Sequence, residues 1–335
     1  MTQCIYCRAE DANSLSHIVA EALGSNTTLR PGVCDDCNHI INKEVEEPII
    51  KALSPIRSFF QLEGKRDKLP RMDIEVRYGG GRQKISAHST AEVLKKVFVF
   101  TNFTDPNGTH RDIAFLSFDQ DALAPHSKRY FERHPKIAPS EFTEDMTALQ
   151  FWTSFDFDVF ADPRCLRMVA KIAFEWWCME RSPAFVLSAE YDEIRQYIRY
   201  GTEPNYPIVS VIENATIQAY FEQIPFGPHL IYRSVNRRLD GLVMLFSPYS
   251  LVFYKIIVTR RYRALASDRK LTTINPQTGD PYSPVITTLR ALNLTLMPNV
   301  PSASRNALDV IRRLSPRLLI RLNNGMTSII QNSAI

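Results

Sequence analysis

No stretch of this chain approaches the ~20 consecutive apolar residues that a membrane-crossing helix requires, so a helical membrane protein is not expected. The opening residues, MTQCIYCRAED, carry no charged-then-apolar leader and reach a cysteine pair at once; the expected compartment is a reducing cytoplasm. Internal repeats and low-complexity tracts are lacking too, which argues against solenoids and arrays. Disorder and coiled coil fit poorly, because 44% hydrophobic and 23% charged residues are close to globular averages. What remains is a chain of 335 residues, long enough to bury more than one core. A phosphate loop is missing as well: Gly79-Gly80-Gly81 lacks the Gly-Lys-Ser/Thr ending and lies between two strand-like segments, as a hairpin turn would.

The six cysteines are unevenly placed. Four form two Cys-x-x-Cys pairs, Cys4/Cys7 and Cys34/Cys37, separated by 26 residues. Zn²⁺ takes four tetrahedral ligands in closed structural sites, and two thiolates from each tight knuckle satisfy it. In a reducing compartment such pairs read as metal ligands before bridges, and a structural zinc is expected. Thiol redox chemistry would need a thioredoxin-like βαβ context, which is missing. Cys165 and Cys178 flank an apolar helical stretch and read as buried thiols.

Charge is distributed rather than large: the net value is +4. Residues 1–50 carry three basic against eight acidic side chains, whereas residues 228–270 carry nine basic against two acidic. A nucleic-acid partner would therefore be met mainly by the C-terminal half, with Arg260, Arg261 and Arg263 as candidate phosphate contacts.

Along the chain, the pattern predicts a helix around 40–60 broken by Pro48 and Pro55, then strands over 72–78, 84–87, 97–102, 112–118 and 151–160. The last would put Asp156 and Asp158 on one strand face. Leu166, Val169, Ala170, Ala173, Phe174 and Trp177 recur at helical spacing and predict an apolar helix face over 164–181. Phe174, Trp176 and Trp177 read as core packing there. A second helix over 190–200 starts after Ser188 and stops at Gly201. Strands follow over 208–212, 229–234, 241–246 and 251–258, then a basic terminal helix near 303–322.

Between and after the knuckles stand Ser16-His17-Ile18-Val19, Leu23-Gly24 and Cys34-x-x-Cys37-Asn38. This run resembles the HNH endonuclease family, in the branch that reads Cys-x-x-Cys, Glu-His-Ile-Ile-Pro-x-x-Leu-Gly, Cys-x-x-Cys-Asn. The resemblance covers about residues 4–43. It implies an α+β protein: an N-terminal ββα-metal (HNH, treble-clef-like) zinc module over 1–62, then a larger mixed α+β region over 63–335. It also implies a metal-dependent endonuclease acting on DNA. His17 would be the general base, a task suited to an imidazole because that side chain changes charge near neutral pH. Asn38 would help hold a catalytic Mg²⁺ or Mn²⁺ distinct from the zinc, and Asn26 is the best match for the asparagine that orients the histidine.

Two departures stand out. Ser16 replaces the acidic metal ligand that precedes the family's histidine, and Ala20 replaces a proline. Those changes motivate an alternative: a catalytically weakened zinc module that binds nucleic acid or a protein partner. A lone nuclease site cuts one strand, so a homodimer is an expected partner state. His39 reads as a surface or capping residue, and His88, His110, His126, His134 and His229 as structural or exposed ones.

Overall fold

The computed structural model describes residues 2–63, 69–88, 92–93, 95–117, 120–135, 150–153, 155–212, 227–236, 241–261, 270–282 and 307–314. It is a mixed α+β protein. The chain divides into two compact units, Met1–Leu53 with Asp156–Ile335, and Ser54–Phe155. The boundary expected after residue 62 therefore does not coincide with the compact units, because the N-terminal segment packs with distant C-terminal residues.

In chain order the first unit begins with an antiparallel hairpin, β1 (Ser14–His17) and β2 (Thr28–Val33). Helix α1 (Asp35–Ile41) follows, widens into a π turn over Asn42–Glu46, and continues as α2 (Glu47–Ala52). Pro48 does not break this helix as the sequence suggested. It sits in the first turn of α2, which directly follows the π turn, and the break falls at Leu53.

The second unit holds α3 (Ser54–Phe59), β3 (Met72–Tyr78), β4 (Gly81–Ala87), β5 (Phe98–Thr104), β6 (His110–Leu116), α4 (Gln120–Arg133) and β7 (Gln150–Thr153). The sheet order is β4-β3-β7, with β5-β6 as a separate pair. Its core gathers Met72, Ile74, Val76, Phe98, Phe100, Phe103 and Leu116. The glycine triplet is the β3–β4 turn. Gly79 has φ +54°, and a Cβ there would stand 2.1 Å from the Thr104 carbonyl oxygen, so only glycine fits.

The chain then returns to the first unit with α5 (Pro163–Arg181) and α6 (Asp192–Tyr200). Asp162 caps α5 by accepting from the Arg164 N–H at 2.7 Å, and Gly201 at φ +73° ends α6. A six-stranded antiparallel sheet follows, built from β8 (Val209–Val211), β9 (His229–Asn236), β10 (Gly241–Ser247), β11 (Tyr254–Thr259), β12 (Lys270–Ile274) and β13 (Pro281–Tyr282), in the order β13-β12-β9-β10-β11-β8. Residues 307–314 are helical and include Arg312 and Arg313, whereas Arg305, Arg317 and Arg321 lie outside the described residues.

Two expectations change here. The strand over 151–160 stops at Thr153, and Asp156 instead accepts from the Asp158 N–H at 2.9 Å to open a short 3-10 turn over Phe157–Ala161. Those two acids therefore share no strand face. Helix α5 is also more buried than one apolar face requires: every residue from Met168 to Cys178 is buried, Lys171 and Glu175 included. The helix packs on β8, β10 and β11 and also meets β2 and the π turn. Among the described residues no helix is long and apolar enough to cross a membrane.

Candidate metal centre and the His17 site

The four knuckle cysteines converge. Their sulfurs all lie within 4.8 Å of one another, and Cys7 Sγ is 3.5 Å from Cys34 Sγ, too far for a disulfide. A tetrahedron with Zn–S bonds of ~2.3 Å has S···S edges of about 3.8 Å, so the cluster has the size a structural zinc needs. Local chain geometry sets this up. The first knuckle turns back through an Arg8 N–H to Cys4 carbonyl bond of 2.8 Å, and Arg8 takes φ +62° to close it. The second knuckle begins α1, with Cys34 as the residue that opens the helix.

Cys4 and Cys37 are fully buried. A hydrogen bond from Cys37 pulls the Cys4 thiol down to about 4, while the same contact pushes Cys37 up. Four crowded sulfurs cannot all ionise unless a cation shares their charge, and a bound Zn²⁺ supplies it. Arg199 of α6 lies beside the cluster. Burial works against its charge, and the Cys37 and Cys7 sulfurs outweigh that to stabilise it. Cys165 and Cys178 are separate buried thiols, both pushed up to about 12 by burial, as their apolar setting led one to expect.

His17 ends β1. Its side chain is 30% exposed, and Nε2 is 3.9 Å from the Glu21 carboxylate, which sits in the 3-10 turn Glu21–Leu23 just after the strand. Asn26, expected to orient His17, is turned elsewhere: its amide donates to the Thr278 carbonyl at 3.1 Å. Asn38, expected at a divalent ion, donates from Nδ2 to Ser14 Oγ at 2.8 Å and to the Leu15 carbonyl at 3.1 Å. It braces α1 against β1. Exposed His39 is not part of the sulfur cluster.

The connection between β1 and β2 is held from the C-terminal sheet. Buried His229 bonds the Leu23 carbonyl through Nε2 at 2.8 Å and accepts the Tyr249 N–H on Nδ1 at 3.3 Å. That is the neutral tautomer, and burial pushes its pKa down to about 4. Gly24, at φ +89°, meets the backbone of Pro276 so closely that a Cβ would lie 2.2 Å from its oxygen.

Ser16 points inward and is 1% exposed. Its hydroxyl lies 3.0 Å from both oxygens of Glu175, and Tyr6 donates to the same carboxylate at 2.8 Å. Lys171 completes the cluster, 2.9 Å from Glu46 Oε1 and 3.3 Å from Glu175 Oε2, with its ammonium also donating to the carbonyls of His17 and Ile18. The π turn swings Glu46 into this position. Sequence reasoning named none of Tyr6, Glu21, Glu46, Lys171 or Glu175 as site residues. The available signal was Lys171 and Glu175 at i,i+4 inside an otherwise apolar helix.

Arg260 and Arg261 are exposed at the end of β11, and the Arg260 guanidinium lies 4.4 Å above the Tyr206 ring. Arg263 lies outside the described residues. No protein-family model matches the chain, no curated protein matches it, and no solved structure matches it.

Proposed function

We propose that this chain is an HNH-type endonuclease that hydrolyses phosphodiester bonds in DNA, with His17 as general base. One observation carries the reading: an antiparallel hairpin and the helix after it, tied by a four-cysteine metal cluster, leave the His17 imidazole part-exposed with the Glu21 carboxylate 3.9 Å away. His17 accepts a proton from water as the water oxygen attacks phosphorus, and the 3′-oxygen leaves.

A catalytic Mg²⁺ or Mn²⁺ would stabilise charge on the phosphoryl and leaving oxygens. Among the described residues the cysteines are the sole group of three or more metal-type ligands. A complete protein cage for a hard ion is therefore not assembled around His17. Mg²⁺ is commonly bound through one or two carboxylates plus substrate phosphate, and Glu21 is the carboxylate next to His17. Double-strand cutting would take two copies of the site.

Plasmid cleavage tests the reading. With Mg²⁺ or Mn²⁺ present, His17→Ala is expected to lose about 10²–10⁴-fold in rate. Zinc content and circular dichroism should not change. Equal rates for the two proteins, or no cleavage by either across metals, overturns it.

A second reading has its own support: Ser16 is buried against Glu175 and Asn38 is spent on β1, so two family positions serve structure. A zinc module of that kind would bind DNA without cutting it. In that case removing the charges of Arg260 and Arg261 should weaken binding and lower the salt-dependence slope by roughly 2, near 0.9 per phosphate contact. Filter binding across salt concentrations measures this, and an unchanged slope rules those arginines out.

A further inference from the structure

Helix α5 crosses behind the strand that carries His17, and it brings a charge where an apolar helix side would ordinarily meet a hairpin. The Lys171 side chain is 2% exposed. Its ammonium has three hydrogens and faces four oxygens: the carbonyls of His17 and Ile18, Glu46 Oε1 at 2.9 Å and Glu175 Oε2 at 3.3 Å. Both carboxylates are themselves buried, and Glu175 is further held by Tyr6 and Ser16.

For stability alone this arrangement is a poor choice. Desolvating an ammonium and two carboxylates costs several kcal/mol per ion, and well-packed apolar residues of similar volume often do as well or better. What a methionine cannot do is take hold of a backbone carbonyl. The two carbonyls held here belong to the residue that carries the imidazole and to the one after it, where β1 ends. The last paired residue of β1 is His17 itself, opposite Thr28. The N–H side of the next peptide is held across the hairpin by an Ile18 N–H to Thr27 carbonyl bond of 3.0 Å, and Lys171 holds the carbonyl side of that same peptide.

The imidazole itself is held loosely, since Glu21 stands 3.9 Å from it and is 58% exposed. Precision at His17 must therefore come through the backbone. Catalytic groups have to be kept within about 0.5 Å of their productive position. Resting on the reading of His17 as the reactive group, we infer that Lys171 is a positioning residue. Its buried ammonium grips the His17 and Ile18 carbonyls, while Glu46 and Glu175 hold the ammonium in place, so the imidazole is presented from an immobile peptide. Ser16, where the resembling family has an acid, points away from the solvent-facing side of His17 and is 1% exposed. It helps to hold Glu175, the anion that anchors the clamp.

The test uses the full chain and does not depend on cleavage. Lys171→Met alone strands two buried carboxylates and risks unfolding, so the companion variant is Lys171→Met/Glu46→Gln/Glu175→Gln, which removes the three charges together. With ¹⁵N-histidine labelling, and His17→Gln to assign its ring, a folded and zinc-replete triple variant should show shifted or broadened His17 ring signals. The ring signals of His126 and His134, which belong to the other compact unit, should stay in place.

If the chain cleaves DNA, kcat should fall roughly 10- to 100-fold with KM changed far less, the signature of a displaced catalytic group. Unchanged His17 ring signals in the folded triple variant overturn the inference. So does a wild-type lysine ¹⁵Nζ spectrum without an exchange-protected ammonium for Lys171, a measurement that requires no variant to fold. A wild-type chain that cuts no DNA would remove the nuclease reading, and the ring signals would still decide the role of Lys171.

Discussion

Chelating the metal, or replacing Cys37 with serine, is expected to unfold the N-terminal hairpin and lower the melting temperature by more than any single core substitution. Structural zinc contributes roughly 10–16 kcal/mol of apparent binding energy, and in small modules that energy is folding energy. Cys37 is fully buried at the start of α1, and its sulfur lies within 4.8 Å of the other three. Without the ion, the crowding that pulls Cys4 down to about 4 and pushes Cys37 up leaves an unshared negative charge. The purified chain should carry one zinc per molecule. A thiol reagent should reach the knuckle cysteines only after chelation, whereas Cys165 and Cys178, buried and pushed up to about 12, should stay slow until global unfolding. A metal-free preparation with an unaltered melting curve contradicts the zinc assignment.

Glu175→Gln is expected to remove one contribution to wild-type stability, a contribution that is lost as pH rises from about 4.5 to 7. Glu175 faces Lys171 on its own helix, Glu46 from the π turn, Tyr6 from the first knuckle, Ser16 from β1 and the Cys178 thiol. Burial raises its carboxyl to about 7, with Lys171 pulling the other way and Glu46 adding to the rise. Lys171 is itself raised: burial lowers it, but the two carboxylates more than offset that. One ammonium shared by two acids cannot neutralise both, so the folded cluster retains a proton that the unfolded chain releases.

Between those pH values the folded state binds more protons, and stability falls with rising pH by at most about 3.5 kcal/mol, at ~1.4 kcal/mol per pK unit. His229 works in the opposite sense. Buried neutral at about 4, it costs the fold stability as pH falls below its unfolded value near 6.5. Wild-type curves alone would therefore look flat. The difference between wild type and Glu175→Gln in urea denaturation across pH isolates the term, and a difference that does not vary with pH contradicts the raised carboxyl.

The sequence made some of this legible and hid the rest for identifiable reasons. Paired knuckles at fixed spacing announce their sulfur cluster, because one tight turn brings each pair together whatever the fold around it. Alternation over 72–78 and the glycine turn after it are equally local, and they appear as read. The strand over 151–160 failed because Asp156 uses its side chain to start a 3-10 turn, a competition that periodicity does not register. The π turn that carries buried Glu46 was invisible too. At the site, the family pattern pointed to Asn26 and Asn38, while the groups around Ser16 and His17 came from far downstream. Partners separated by 154 or 159 residues leave no trace in a short motif.

That separation bears on how the protein is made. Ribosomes add about 5–20 residues per second, so both knuckles emerge roughly 7–27 s before Lys171, and His229 follows later still. In that interval a nascent chain can already capture its metal ion, but it has neither the helix that walls His17 nor the histidine that secures Leu23. A half-made or prematurely released chain would thus carry its metal without these supports, and His17 would be held in its final setting only when most of the molecule has been translated.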